Sequence, residues 1–125
     1  MQEFGTERVQ PLQADLTLEP DVERLFASAS AGSFGPVQVA VINHGYHISR
    51  DVPLVQMSLE QWEGTFKANV TSSFLVAREY LRGLERAGER EKEKAAIVLI
   101  GSTAGKIGEA GHADYAASKS GECRL

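Results

Sequence analysis

Tyr115 and Lys119 stand four residues apart near the C-terminal end of the sequence, and Ser102 stands thirteen residues before the tyrosine. On a helix, positions four apart share a face, so a phenol and an ammonium would lie side by side. A free phenol titrates near pH 10 and is a poor acid–base catalyst at neutral pH. A lysine ammonium about 4 Å away is worth roughly 4 kcal/mol at an effective dielectric of about 20, or about three pK units. That is enough to bring a tyrosine towards the pH at which general acid–base catalysis works best. Ser102, in a Gly-Ser turn, could hydrogen-bond the same reacting oxygen. The Tyr-x-x-x-Lys spacing alone arises by chance on many amphipathic helices, so its surroundings must carry the inference.

Those surroundings read as alternating strands and helices. Residues 9–14 (VQPLQA) read as a short strand with Asp15 at its carboxyl end. Thr17-Leu18-Glu19-Pro20 reads as a helix start with a hydroxyl cap, an acidic first turn and an early proline. The helix places Val22, Leu25, Phe26 and Ala29 on one face, and residues 32–36 (GSFGP) end it. Residues 37–42 (VQVAVI) have the continuous apolar character of a buried parallel strand. Ser58-Leu59-Glu60-Gln61 has the form of a capping box. It opens a long helix whose inner face is expected to carry Leu59, Trp62, Phe66, Asn69, Val70, Phe74, Ala77 and Leu81. Residues 85–94 form a solvated mixed-charge stretch. Residues 95–100 (AAIVLI) read as another buried strand, followed by a glycine-rich turn over 101–111 and a helix from about His112.

Strand, helix, strand, helix, strand, helix implies right-handed crossovers and a parallel sheet with helices on its faces. The fold class is therefore α/β, with a single domain over residues 1–125 and no second domain. Ligands in such sheets bind beyond the carboxyl ends of the strands, where Asp15, Asn43 and Ser102 all fall.

Composition narrows the function further. The net charge is −4, which leaves no basic footprint for nucleic acid or an anionic membrane surface. The one cysteine, Cys123, cannot form an internal disulfide and fits a reducing compartment, so a cytoplasmic location is expected. The apolar runs are too short to span a bilayer, and Met1 to Phe4, with no basic region before an apolar stretch, are not expected to open a signal peptide. His44, His47 and His112 have no recognisable metal-ligand spacing, so no metal is expected. Three other motifs fail on inspection. Gly101 to Lys106 is one residue short of a P-loop, and no helix is expected to open directly on the glycines of 101–108 as a dinucleotide fingerprint needs. Ser102, His112 and Asp114 lack a nucleophile elbow.

Five segments in order resemble the short-chain dehydrogenase/reductase family: Ala14-Asp15-Leu16, Ile42-Asn43-His44-Gly45, Lys67-Ala68-Asn69-Val70, Gly101-Ser102-Thr103-Ala104-Gly105 and Tyr115-Ala116-Ala117-Ser118-Lys119. The resemblance covers nearly the whole chain and is of the simple dehydrogenase/reductase type. It departs from the family at Ile42 and His44, where the family has Asn and Ala. The resemblance implies a Rossmann-like three-layer sandwich and an NAD- or NADP-dependent oxidoreductase acting on a carbonyl/alcohol pair, the choice of cofactor being unreadable. It implies Tyr115 as proton donor and acceptor, Lys119 as its activator and a ribose ligand, and Ser102 as the residue orienting the substrate oxygen. Asn69 would hold a water that relays protons to Lys119. Asp15, Leu16, Asn43, Gly45, Tyr115 and Lys119 would meet the cofactor. The family commonly pairs subunits through the Ser58 and Tyr115 helices, so the parent enzyme is expected to be a homodimer or homotetramer.

The same residues admit plainer roles. Asn69 could satisfy a backbone carbonyl where its helix packs, Asp15 could serve the turn before the first helix, and Asn43 to Gly45 could be an ordinary turn. The family's glycine-rich strand, turn and helix are not found before residue 9, where residues 2–5 read as a helix tail. The second strand and the last part of the sheet, with the substrate-pocket segment, are not found either. The strand at 9–14 is thus expected to lack its neighbours, and the chain alone to be poorly stable, to hold no dinucleotide tightly and to show little or no turnover. A non-catalytic partner-binding scaffold is the alternative from another class. Epimerase or dehydratase chemistry on a nucleotide sugar shares Tyr-x-x-x-Lys but fits the Asn43 and Lys67 segments less well.

Overall fold

The computed structural model describes residues 8–32 and 34–125. The expected helix tail at 2–5 lies outside them. Two strands, β1 (Val39–Ile42) and β2 (Ala96–Leu99), pair in parallel with Val39 opposite Ala96 and Ile42 opposite Leu99. Among the described residues, six α-helices accompany them: α1 (Glu19–Ala31), α2 (Leu59–Phe66), α3 (Ser72–Arg86), α4 (Glu89–Lys92), α5 (Ala104–Ile107) and α6 (Ala113–Glu122). The two apolar runs read as strands of a parallel sheet pair with each other, but neither is buried on both faces as expected, β2 being exposed or half-buried throughout.

The core lies between the sheet and α1 and α3. Val22 of α1, Ile42 of β1, and Leu75 and Val76 of α3 are buried together, with Leu16, Phe26 and Leu99 packed around them. Tyr80 is 2% exposed and donates its hydroxyl to the Gln38 carbonyl at 2.6 Å, fixing α3 to the start of β1. Arg78 of α3 pairs with Glu19 of α1 on the rim. The other face of the sheet is open among the described residues, Val39 and Val41 being 55% and 59% exposed.

The chain departs from the sequence reading in four places. Residues 9–14 form no strand: neither β1 nor β2 pairs with them, and an unpaired extended segment has no ladder to hold it. Thr17 does not cap α1, because its hydroxyl donates to Asp15 Oδ1 at 2.8 Å; the helix opens one residue later, from Leu18. The glycine-rich turn is not all loop, since the one-turn helix α5 opens at Ala104 within it.

The fourth departure has the largest consequence. The long helix is interrupted by a π-helical turn over Lys67–Thr71, joining α2 to α3. Such a bulge adds one residue, and one residue turns the following helix by about 100°. The buried face of α3 is therefore Leu75, Val76, Glu79 and Tyr80, with Ala77 packed against the core as expected, whereas Phe74 and Leu81 turn outward. Leu59, Phe74 and Leu81 are 69%, 43% and 53% exposed.

Candidate active site

The π turn delivers Asn69 to the interior, where it is fully buried. Its Oδ1 accepts from the Tyr46 N–H at 2.6 Å, while Nδ2 donates to the Tyr46 carbonyl at 3.0 Å and to Ser118 Oγ at 2.9 Å. One side chain thus ties three segments: the loop after β1, the long helix and α6. The plainer role of satisfying backbone is what the geometry displays, and both amide hydrogens are used in it.

Beside this junction lies Lys119, 4% exposed. Its Nζ donates to Glu122 Oε2 at 2.6 Å and to the Ile100 carbonyl, just past β2, at 3.3 Å. A Cβ at Gly45 would stand 3.2 Å from Nζ and 3.7 Å from Asn69 Oδ1, so glycine is what lets the loop backbone approach both groups. Three sequence-expected residues, Gly45, Asn69 and Lys119, are therefore brought together beyond the carboxyl ends of the strands.

Alpha helix α6 is anchored from its other end. Its Asp114 is 1% exposed, and its Oδ2 accepts from Thr65 Oγ at 2.7 Å and Gln61 Nε2 at 3.1 Å. Burial pushes the Asp114 carboxyl up, but these hydrogen bonds outweigh it and hold the group below its ordinary range. Ser58 caps α2 as expected, accepting from the Gln61 N–H at 3.1 Å. The Gln61 side chain does not return to Ser58; it reaches α6 instead.

Ser102 is half-buried at the end of β2, and its Oγ accepts from the Ala104 N–H at 3.2 Å. Tyr115 is half-buried in the first turns of α6, with the His47 ring edge-on to it at 4.6 Å between centroids. Asn43 is exposed on the loop after β1. Asp15 is exposed, and Thr17 holds its carboxyl below the usual range through side-chain and backbone hydrogen bonds. Leu16 faces the core and lines an apolar cavity of about 260 Å³ between α1 and β1, shared with Phe26, Ile42 and His44. Asp15 and Leu16 are not joined to the Lys119 cluster by any hydrogen bond among the described residues.

His44 was legible only as a departure from a motif. Its Nε2 lies 2.5 Å from Ser72 Oγ, and that hydroxyl gives its one proton to the Ala68 carbonyl at 2.6 Å. The imidazole must therefore be the donor, with its proton on Nε2. Burial, ahead of the opposing charges of Glu122 and Lys119, lowers its pKa. Glu122 is the residue that sequence reasoning missed. It is fully buried, bonded to Lys119 and, through Oε1, to Ser73 Oγ at 2.8 Å. Its spacing of three from Lys119 was the available signal.

Among the described residues, no helix is long and apolar enough to cross a membrane. Residues 1–125 match the family model for short chain dehydrogenases. The chain is 35% identical over 102 residues to a 3-oxoacyl-[acyl-carrier-protein] reductase of Vibrio cholerae, covering 82% of this chain and 39% of that protein. It is 36% identical over 109 residues to a (3R)-3-hydroxyacyl-CoA dehydrogenase of Rattus norvegicus, covering 87% of this chain and 40% of the relative. The chain thus spans about two-fifths of the curated relatives it matches. A crystal structure of a short chain dehydrogenase from Mycobacterium smegmatis superposes with a TM-score of 0.83 at 26% identity, over 94% of this chain and 46% of that one. The sheet and its helices are thus part of a Rossmann-type α/β fold, and the chain belongs to the short chain dehydrogenase family.

Proposed function

We propose that this chain carries the acid–base and nicotinamide-facing part of an oxidoreductase that uses NAD or NADP to interconvert a carbonyl and an alcohol. The carrying observation is the convergence of Gly45, Asn69 and Lys119 beyond the strand ends, with Ser102 and Tyr115 on the two segments that follow β2. The chain's own groups fit such a cofactor. Lys119 has three N–H donors, and Glu122 and Ile100 take two, leaving one for a ribose hydroxyl. The missing Cβ at Gly45 lets the loop backbone approach Lys119, the group that would face the ribose. When bound, the cofactor supplies the hydride.

Tyr115 donates and accepts the proton at the substrate oxygen, and the Lys119 ammonium stabilises its phenolate. Ser102 fixes the same oxygen by a hydrogen bond. Asn69 positions Lys119 by holding Tyr46 and Ser118, and would hold a water that relays protons to it. Asp15, Leu16 and Asn43 form the adenosine side of the cofactor site. The names of the relatives favour a substrate whose reacting carbon is the 3-position of an acyl thioester.

The exposed stripe of Leu59, Phe74 and Leu81 supports pairing with a second copy through the long helix. The open sheet face supports low stability and little turnover for these 125 residues by themselves. The experiment is oxidation of NADPH or NADH with a 3-oxoacyl thioester by a protein of the relatives' length containing this chain. Substrate-dependent oxidation supports the reading. No oxidation with that or any simple ketone removes it.

A further inference from the structure

Two loops that the sequence keeps far apart meet beside Tyr115. His47 and Asp51 lie on the loop after β1, Glu109 lies between α5 and α6, and His112 caps α6. The Val52 N–H donates to the Gly111 carbonyl at 2.8 Å and locks the two loops together. One ligand atom from each of His47, Glu109 and His112 then falls within 4.8 Å of the others. The His47 and His112 rings lie 4.3 Å apart between centroids.

His112 is the informative member. It is 5% exposed, and its Nδ1 is buried without a hydrogen-bond partner. Its Nε2 lies 3.1 Å from Asp51 Oδ1. With Nε2–H given to that carboxylate, Nδ1 presents a bare lone pair, and a buried acceptor left unpaired is costly. A carboxylate on one imidazole nitrogen and a vacant lone pair on the other is the arrangement of a metal-bound histidine with its orienting partner. The spacing of the other two donors agrees. His47 Nε2 stands 3.4 Å from Glu109 Oε1. Two donors each about 2.05 Å from one ion at a tetrahedral angle stand about 3.3 Å apart.

We propose that His47, Glu109 and His112 form a binding site for a divalent transition metal of the zinc type, with Asp51 orienting His112. Two imidazoles and one carboxylate select Zn²⁺ or Co²⁺ over Mg²⁺ or Ca²⁺, which take oxygen ligands. His47 and Glu109 side chains are each 39% exposed, so both can move to close the wider distances. Three protein ligands leave a fourth position open to water or another small ligand. The site is independent of the oxidoreductase reading, because none of its four residues belongs to the cofactor or proton-transfer set.

The test is titration of an untagged, metal-stripped protein of the relatives' length containing this chain with Co²⁺, read by the visible absorption of tetrahedral cobalt, and with Zn²⁺ by calorimetry. The expected result is one ion per chain, with Zn²⁺ displacing Co²⁺. His47→Ala combined with Glu109→Gln, at two exposed positions whose loss leaves the fold intact by circular dichroism, should abolish the absorption. Asp51→Asn should weaken binding by about 10- to 100-fold. Cys123→Ser, at an exposed thiol outside the cluster, should leave it unchanged. Absence of saturable binding overturns the site, as does binding that survives the double substitution or is lost with Cys123.

Discussion

Lys119 and Glu122 form a buried ion pair, Nζ to Oε2 at 2.6 Å, one turn apart on α6. The pair is closed on both sides, by Ser73 on the carboxylate and by the Ile100 carbonyl on the ammonium. Desolvating two charges is costly, and these further hydrogen bonds offset it in part, leaving one ammonium N–H without a partner among the described residues. The same contact fixes the amine assigned to the proposed cofactor site, so packing and the proposed chemistry would meet in one side chain.

Removing one partner of that pair leaves the other charge buried. Glu122→Ala should lower the unfolding free energy by about 3 kcal/mol, enough to erase the transition of a marginal domain. Glu122→Gln keeps a hydrogen-bonding carbonyl for Ser73 and should cost less. Urea unfolding followed by circular dichroism distinguishes them, and equal, negligible losses would show that the pair holds nothing.

Acid should act through His44. Its folded-state pKa is lowered by burial, so near pH 6.5 the unfolded chain binds the proton that the folded chain refuses. The stabilisation is present above the unfolded value and is lost as pH falls below about 6.5 towards the folded value. Unfolding midpoints measured from pH 7.5 down to 5.5 should fall for the native chain. The fall should be smaller in His44→Ala, which removes the ring that donates to Ser72.

Gly105 joins α5 to α6 by closeness alone. A Cβ there would stand 2.7 Å from the Lys119 carbonyl carbon and 2.9 Å from the Ser120 nitrogen. Gly105→Ala should therefore force the two helices apart at a cost of about 1–3 kcal/mol. It should also displace Lys119 and weaken NADPH binding. Gly64→Ala, where an added Cβ meets nothing within 4 Å, is the matched control and should be neutral or stabilising.

Much of this architecture is legible in the sequence where the local signal and the tertiary outcome coincide. The continuous runs ending in Ile42 and Ile100 pair as read, and Ser58 caps its helix through its own backbone neighbour. The face of α3 was not legible, because the π turn at Lys67–Thr71 shifts the register by one residue and leaves no compositional trace. Residues 9–14 have the apolar character of a strand, yet strand formation depends on a partner that a local pattern cannot supply. In the candidate site, Lys119, Asn69 and Gly45 were legible from motif order. Glu122 was signalled only by its spacing of three from Lys119, and the His47, Glu109 and His112 cluster not at all, since a cluster spanning distant loops exists only in three dimensions.

The central claim is that Tyr115 moves the proton while Lys119 and the loop at Gly45 hold the cofactor. It is tested most directly by Tyr115→Phe in a protein of the relatives' length that contains this chain, assayed for NADPH and NADH binding and for turnover of a 3-oxoacyl thioester. Loss of turnover by at least about a thousandfold, with cofactor affinity within about threefold of the native protein, is the predicted result, in line with the removal of an essential acid–base group. Turnover that survives the substitution would contradict it.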